Sequence, residues 1–181
     1  MKLVKEYINE KFSENSDPIY DIGIGLPKLI EVWLKKHNRY SDQSHYSINI
    51  DGTIDIDRFL FNDKVNNLKE FPDYINFNKA NYFDCSFRSL KSLKGTPRIV
   101  KGEFSCIRSK ITSLKYGPLY ADRYYVYNCE FLTSLEGIKI VNTFLIINNT
   151  PITKKNINKI LKQKGVSIKD IYYGDNKAYT P

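Results

Sequence analysis

Three Ser-Leu pairs recur at one interval of twenty-one residues: Ser92-Leu93, Ser113-Leu114 and Ser134-Leu135. Phe83, Phe104 and Tyr125 share the spacing, as do Cys85, Cys106 and Tyr127, and Leu90, Ile111 and Leu132. A unit this short cannot enclose a core of its own. It must stack on copies of itself, so the period predicts a solenoid whose units each contribute about one strand to a parallel sheet. Such a fold offers a long surface to a partner and seldom builds a deep catalytic pocket.

In this phase Phe104 and Cys106 point inward, while Glu103, Ser105 and Ile107 point out. Strands are expected near 82–86, 103–107, 124–128 and 144–148. Gly95, Gly102, Gly117 and Gly137 fall at turns, and Pro72, Pro97 and Pro118 follow the Leu phase, where no ladder donor is needed. Four segments follow from the pattern: an N-terminal helical cap over 1–46, a β-hairpin and first strand over 47–66, the repeats over 67–152 and a C-terminal helical cap over 153–181. Residues 2–12 carry Leu3, Val4, Tyr7, Ile8 and Phe12 at helical spacing. Residues 13–25 read as a loop, and Pro27 opens a helix running to His37 on an apolar face of Leu29, Ile30, Trp33 and Leu34. Ile48, Ile50, Ile54 and Ile56 alternate around Asp51-Gly52, which predicts a type I′ hairpin. Thr153 caps a helix carrying Ile157, Ile160 and Leu161 that ends at Gly165, and a strand over 166–172 follows.

Charge is uneven along a chain of formal net charge +8. Asp42, Asp51, Asp55, Asp57, Asp63, Glu70 and Asp73 face only Arg58, Lys64 and Lys69 within 42–73. Between 88 and 123 stand Arg88, Lys91, Lys94, Arg98, Lys101, Arg108, Lys110, Lys115 and Arg123, against Glu103 and Asp122. This block is either a footprint for nucleic acid or an acidic protein, or a solvated surface. Stacking at the repeat spacing predicts a like-charged ladder of Lys94 and Lys115. Tyr125 and Tyr127 share the inward phase of Phe104 and Cys106. That leaves Tyr82, Tyr124 and Phe144 on the outward phase as contact residues beside Arg123.

Catalytic chemistry finds little purchase. His37 and His45 have no Cys or carboxylate partner at ligand spacing, so no metal is expected. Asp51, Asp55 and Asp57 lack the glutamate of a calcium loop. The serines recur with every unit, as structural residues do, and no nucleophile, base and orienter assemble. No cofactor is expected. Three cysteines lack paired spacing, and Cys85 and Cys106, which share one repeat phase, are expected to be buried, reduced thiols. No apolar run approaches a membrane span, and residues 1–12 mix charge with apolar residues too evenly for a signal peptide. A reducing cytoplasm is the expectation.

Four motifs in order resemble leucine-rich-repeat proteins encoded by bacteriophages and prophages of the Bacteroidetes type: Lys2 to Gly25, the Trp33 to Asn38 helix, the Ile48 to Asp57 hairpin, and the Asn67 to Lys79 lead-in to the repeats. The resemblance covers nearly the whole chain and implies an α/β repeat, a short leucine-rich-repeat solenoid closed by helical caps. The family's Asn-Asn turn is replaced by Phe87-Arg88 and Arg108-Ser109, and its Glu after Leu by Lys94 and Lys115, with Glu136 retained. Those departures create the basic block and weaken the expectation of regular corners. Size and composition also resemble phage anti-CRISPR proteins, including one directed at an RNA-targeting type VI effector. The resemblance implies a non-enzymatic, monomeric inhibitor in the host cytoplasm that binds an RNA-guided nuclease or its guide RNA. The contact residues would be Arg88, Lys94, Arg98, Lys101, Arg108, Lys110, Lys115, Arg123, Tyr82, Tyr124 and Phe144. A direct RNA- or DNA-binding module and a virion component are the alternatives.

Overall fold

A computed structural model describes residues 25–62, 68–86 and 89–174, together with the backbone of 177–179. The expected helix over 2–12, most of the loop after it, Arg88 and Phe87 lie outside the described residues. Helix α1 spans Leu26–His37, with Pro27 in its first turn and Lys35, Lys36 and His37 in its last. The strands are β1 (Tyr46–Ile48), β2 (Ile54–Leu60), β3 (Phe77–Asp84), β4 (Ile99–Ser105), β5 (Tyr120–Tyr125) and β6 (Ile140–Ile146). Helix α2 (Lys154–Leu161), β7 (Ser167–Tyr173) and β8 (Lys177–Tyr179) complete the order.

All eight strands lie in one sheet in sequence order. β2 through β7 are parallel, and β1 and β8 close the two edges antiparallel. The chain is thus a β-solenoid whose coils each return to the sheet. The strands begin four or five residues earlier than the repeat phase suggests, because the small inward residues Ala80, Val100, Ala121 and Val141 also belong to the ladder.

Side-chain columns explain the repeat. Phe59, Phe83, Phe104, Tyr124, Leu145 and Ile171 are paired in register from β2 to β7 and all are buried. Rings of adjacent coils stack, with centroids at 4.7 Å for Phe59 and Phe83, and 6.2 Å for Phe83 and Phe104. Leu93, Leu114 and Leu135 form a second buried column on the opposite wall. Each such side chain withdraws enough apolar surface to contribute about 1.5–3 kcal/mol. The serine before each Leu acts locally. Ser92, Ser113 and Ser134 accept through Oγ the amide two residues on, at 3.1, 3.2 and 3.1 Å, and so set the turn.

Two sequence expectations fail for one reason. The inward mate of Phe104 is Tyr124, not Tyr125, and that of Cys106 is Val126, not Tyr127. The Leu columns keep their spacing of twenty-one, and so do Val100 and Ala121 at the start of the strands, but between Ala121 and Arg123, within β5, the coil drops one residue against β4 and regains it at the following corner, near Cys129. Alternation flips the faces at the shift: Tyr124 is fully buried, while Tyr125 stands on the outer face. The hairpin differs too. Gly52 donates to Asn49 O, Asn49 donates to Thr53 O, and of the turn residues only Gly52 has positive φ. This is a three-residue loop with glycine in the left-handed position rather than a type I′ turn. Ile50, expected within the alternation, sits at its tip fully exposed.

At one end Trp33 of α1 packs on Phe59 and Phe71, and His37 stacks on Trp33 at 4.3 Å while its Nδ1–H donates to Trp33 O. At the other, Ile157 and Ile160 of α2 enter the core. A capping box at Thr153 and Asn156 starts this helix. Among the described residues no helix is long and apolar enough to cross a membrane.

Candidate interaction surface

The face of the sheet opposite the core presents every outward side chain of β2 to β7 in rows. One row runs Arg58, Tyr82, Glu103, Arg123, Phe144, Asp170, and the next Leu60, Asp84, Ser105, Tyr125, Ile146, Tyr172. Tyr125 and Phe144 meet edge to face at 5.5 Å, and Phe144 and Tyr172 at 6.0 Å. With Ile146 and Asn148, Phe144 and Tyr172 line a shallow hollow of about 190 Å³. At the strand beginnings Ile99, Tyr120 and Ile140 form a third row, with both isoleucines exposed.

Charges on this face are largely matched. Asp55 accepts from Asn78 and pairs with Lys79 at 2.8 Å, and Asp57 accepts from Asn81. Burial raises the Asp55 carboxyl, but Lys79, Asn78 and Asn49 outweigh it and hold the group below its ordinary value. Asp55 and Asp57 of the acidic stretch are therefore cross-strand partners, while Asp51 accepts from Thr53 within its own turn. Burial pushes the Glu103 carboxyl up against the pull of Arg123, whose Nε stands 3.9 Å away. Arg58 lies over the rings of Tyr40 and Tyr82, at 4.6 and 5.5 Å. Burial first, and then the Asp84 and Glu103 charges, push the Tyr82 phenol up to about 12.

The contact residues expected from sequence do not converge. Tyr82, Phe144, Arg123 and Lys101 share the outer face. Tyr124 does not: it is core, with a buried hydroxyl that finds no partner. Arg98 sits where the chain enters β4, and Arg108 and Lys110 at the corner after it. Lys94 and Lys115 lie on the far wall, in a column that continues to Asp73 and Glu136, and Lys94 binds Asp73 at 2.8 Å. The basic block thus wraps around the coils, because a contiguous stretch of a solenoid visits every side, and the like-charged ladder ends in acids.

Where Arg108-Ser109 replaces asparagine, the corner keeps the conformation of the two that follow it. Arg108, Asn128 and Asn149 take φ of 54°, 57° and 53°, and Asn149 donates to Asn128 at 2.9 Å. Tyr116 also has positive φ, at 70°, and is half exposed. A bulky residue there is an outlier costing about 1–2 kcal/mol. Sequence reasoning missed Tyr116, and also Tyr125 and Tyr172. The signal for Tyr116 was available: Gly95 and Gly137 stand twenty-one residues to either side.

All three cysteines are free and buried. Burial pushes the thiols of Cys85 and Cys129 up, and Cys129 donates to Cys106 O at 3.0 Å. Among the described residues no group of His, Cys, Asp or Glu is arranged to hold a metal. Comparison with family models, with curated proteins and with solved structures gives no match for this chain.

Proposed function

We propose that this chain is a non-enzymatic bacteriophage protein that acts in the host cytoplasm as a stoichiometric inhibitor of a host RNA-guided nuclease, meeting it with the outer face of the sheet. In this reading the coils are of the leucine-rich-repeat type, and α1 and α2 cap the two ends of the core.

The observation that carries the binding role is the aromatic cluster of Tyr125, Phe144 and Tyr172 with Ile146, held on a rigid sheet. Aromatic anchors preset by a scaffold lose little entropy on contact, and Tyr and Arg supply much of the energy of protein interfaces. The partner on this face is a protein because the face is charge-balanced. Arg58, Lys79, Lys101, Arg123 and Lys169 are offset by Asp55, Asp57, Asp84, Glu103, Asp122 and Asp170. A phosphate backbone calls for an excess of cations instead. The choice of an RNA-guided nuclease rests on the resemblance to phage anti-defence proteins.

The test is co-elution on a sizing column with a purified type VI effector from a Bacteroidetes host. A stoichiometric complex is expected. It should be lost in the double variant Phe144→Asp, Tyr172→Asp, with unchanged circular dichroism. Absence of a complex with the parent chain would remove the partner assignment. A complex that survives in the variant would remove the face.

A further inference from the structure

One coil breaks the glycine rule that its neighbours obey. Gly95 and Gly137 occupy the same turn position at φ +91° and +111°. A Cβ there would lie 2.7 Å from Ile75 O or 2.4 Å from Leu114 O of the preceding coil. Both conformation and space therefore select glycine. In the coil between them Tyr116 holds the position at φ 70°, and the glycine has moved one place on, to Gly117.

Packing does not offset that strain, because Tyr116 remains 50% exposed. Its ring has Lys115 Nζ at 5.3 Å from its centroid. With Arg98 it borders a cleft of about 250 Å³ over Pro72 and Thr96. This is smaller than the roughly 300–1,000 Å³ of pockets that enclose drug-sized ligands, and it suits the edge of one flat ring. Asp73, the acid lining the cleft, is bound by Lys94 at 2.8 Å. Arg98 and Lys115 make no ion pair among the described residues. A strained residue that exposes an aromatic ring between two such cations is an outlier from which function can be inferred.

We propose that Tyr116, Arg98 and Lys115 form a contact for an unpaired segment of nucleic acid, with a base stacked on Tyr116 and the flanking phosphates at Arg98 and Lys115. Every base has a π-face, so the contact is tolerant of sequence, and its cations make it dependent on salt. It lies on the turns that lead into β4 and β5, not on the outer face, and stands independently of the protein contact described above.

Fluorescence anisotropy of the full chain with a labelled single-stranded RNA of mixed sequence tests this. Parent protein should bind the single strand more tightly than its duplex. Tyr116→Gly restores the residue type of the neighbouring coils, so it should raise the melting temperature while weakening binding about 5- to 150-fold. Tyr116→Phe should bind like the parent. Arg98→Ala with Lys115→Ala should flatten the slope of log affinity against log salt by about 1.4. The outer-face variant Phe144→Asp, Tyr172→Asp should keep its RNA affinity even where it loses the protein partner. The proposal is overturned if the parent fails to bind the RNA at low salt, or if Tyr116→Gly binds as the parent does. It is overturned equally if a polyglutamate peptide displaces the RNA as well as unlabelled RNA does, since the site would then be a general contact for acidic protein.

Discussion

Replacing Gly117 by Ala places a methyl group 2.6 Å from the Tyr124 hydroxyl, 2.8 Å from Leu93 Cδ1 and 3.0 Å from Leu114 O. These contacts define how the irregular coil closes. Its neighbours carry the buried side chains of Thr96 and Ile138 at the equivalent position. Here Gly117 leaves that space open, and the longer Tyr124, in the column of Phe83 and Phe104, fills it with its hydroxyl. Overpacking by one methyl in such a site costs about 1–3 kcal/mol. The loss of glycine freedom in the unfolded chain returns about 0.4–1 kcal/mol, leaving a net loss of about 1–2 kcal/mol. Tyr124→Phe removes a buried hydroxyl that has no partner, and should stabilise by about 1–2 kcal/mol. In the double variant the new methyl occupies the vacated space, so a coupling of at least ~1 kcal/mol is expected. Urea unfolding of the four proteins measures it, read as midpoint shifts at unchanged m-value. Additivity within about 0.5 kcal/mol would refute the exchange of space between Gly117 and Tyr124.

Leu114→Ala, in the central buried column, should cost about 2–5 kcal/mol in the same assay, while Ser113→Ala should cost about 1 kcal/mol or less, since its Oγ accepts one exposed turn amide. Tyr82 should titrate near 12 in an absorbance titration rather than at its ordinary 10.0. The unfolded chain then binds fewer protons than the folded one between those values, so the contribution of Tyr82 to stability holds below pH about 10 and falls as pH rises toward about 12. An ordinary tyrosine midpoint for Tyr82 would contradict its partial burial beside Asp84 and Glu103. Cys85, Cys106 and Cys129 should react with iodoacetamide only as fast as the native state opens, and rapid labelling of any of them would contradict their burial.

The parallel solenoid was legible because Leu93, Leu114 and Leu135 repeat without error, and a buried column tolerates only apolar residues of similar size. Helices α1 and α2 were legible from Pro27 and from Thr153, which are local signals. The faces of β5 were not. A one-residue deletion within the strand, after Ala121, compensated at the next corner, leaves the Leu period intact while it exchanges Tyr124 for Tyr125. Only the cross-strand register with Phe104 reveals it. Charge was misleading for a geometric reason. Neighbours in sequence, such as Arg98, Lys101 and Arg108, leave a coil in different directions, whereas Asp55 and Lys79, far apart in sequence, are partners. Tyr116 shows the converse: aligned on Gly95 and Gly137 it stands out at once, but the shifted glycine at 117 disguised the exception as a regular turn.

Hydroxyl-radical footprinting of the chain, free and mixed with the type VI effector proposed as its partner, addresses the outer face most directly, because aromatic side chains report their own exposure. Tyr125, Phe144 and Tyr172 should lose reactivity in the complex, while Phe131, exposed at the corner beside Arg108 and Lys110, should keep it. Unchanged reactivity at the three outer-face rings, with protection at Phe131 instead, would contradict the account and move the contact to the corners of the coils.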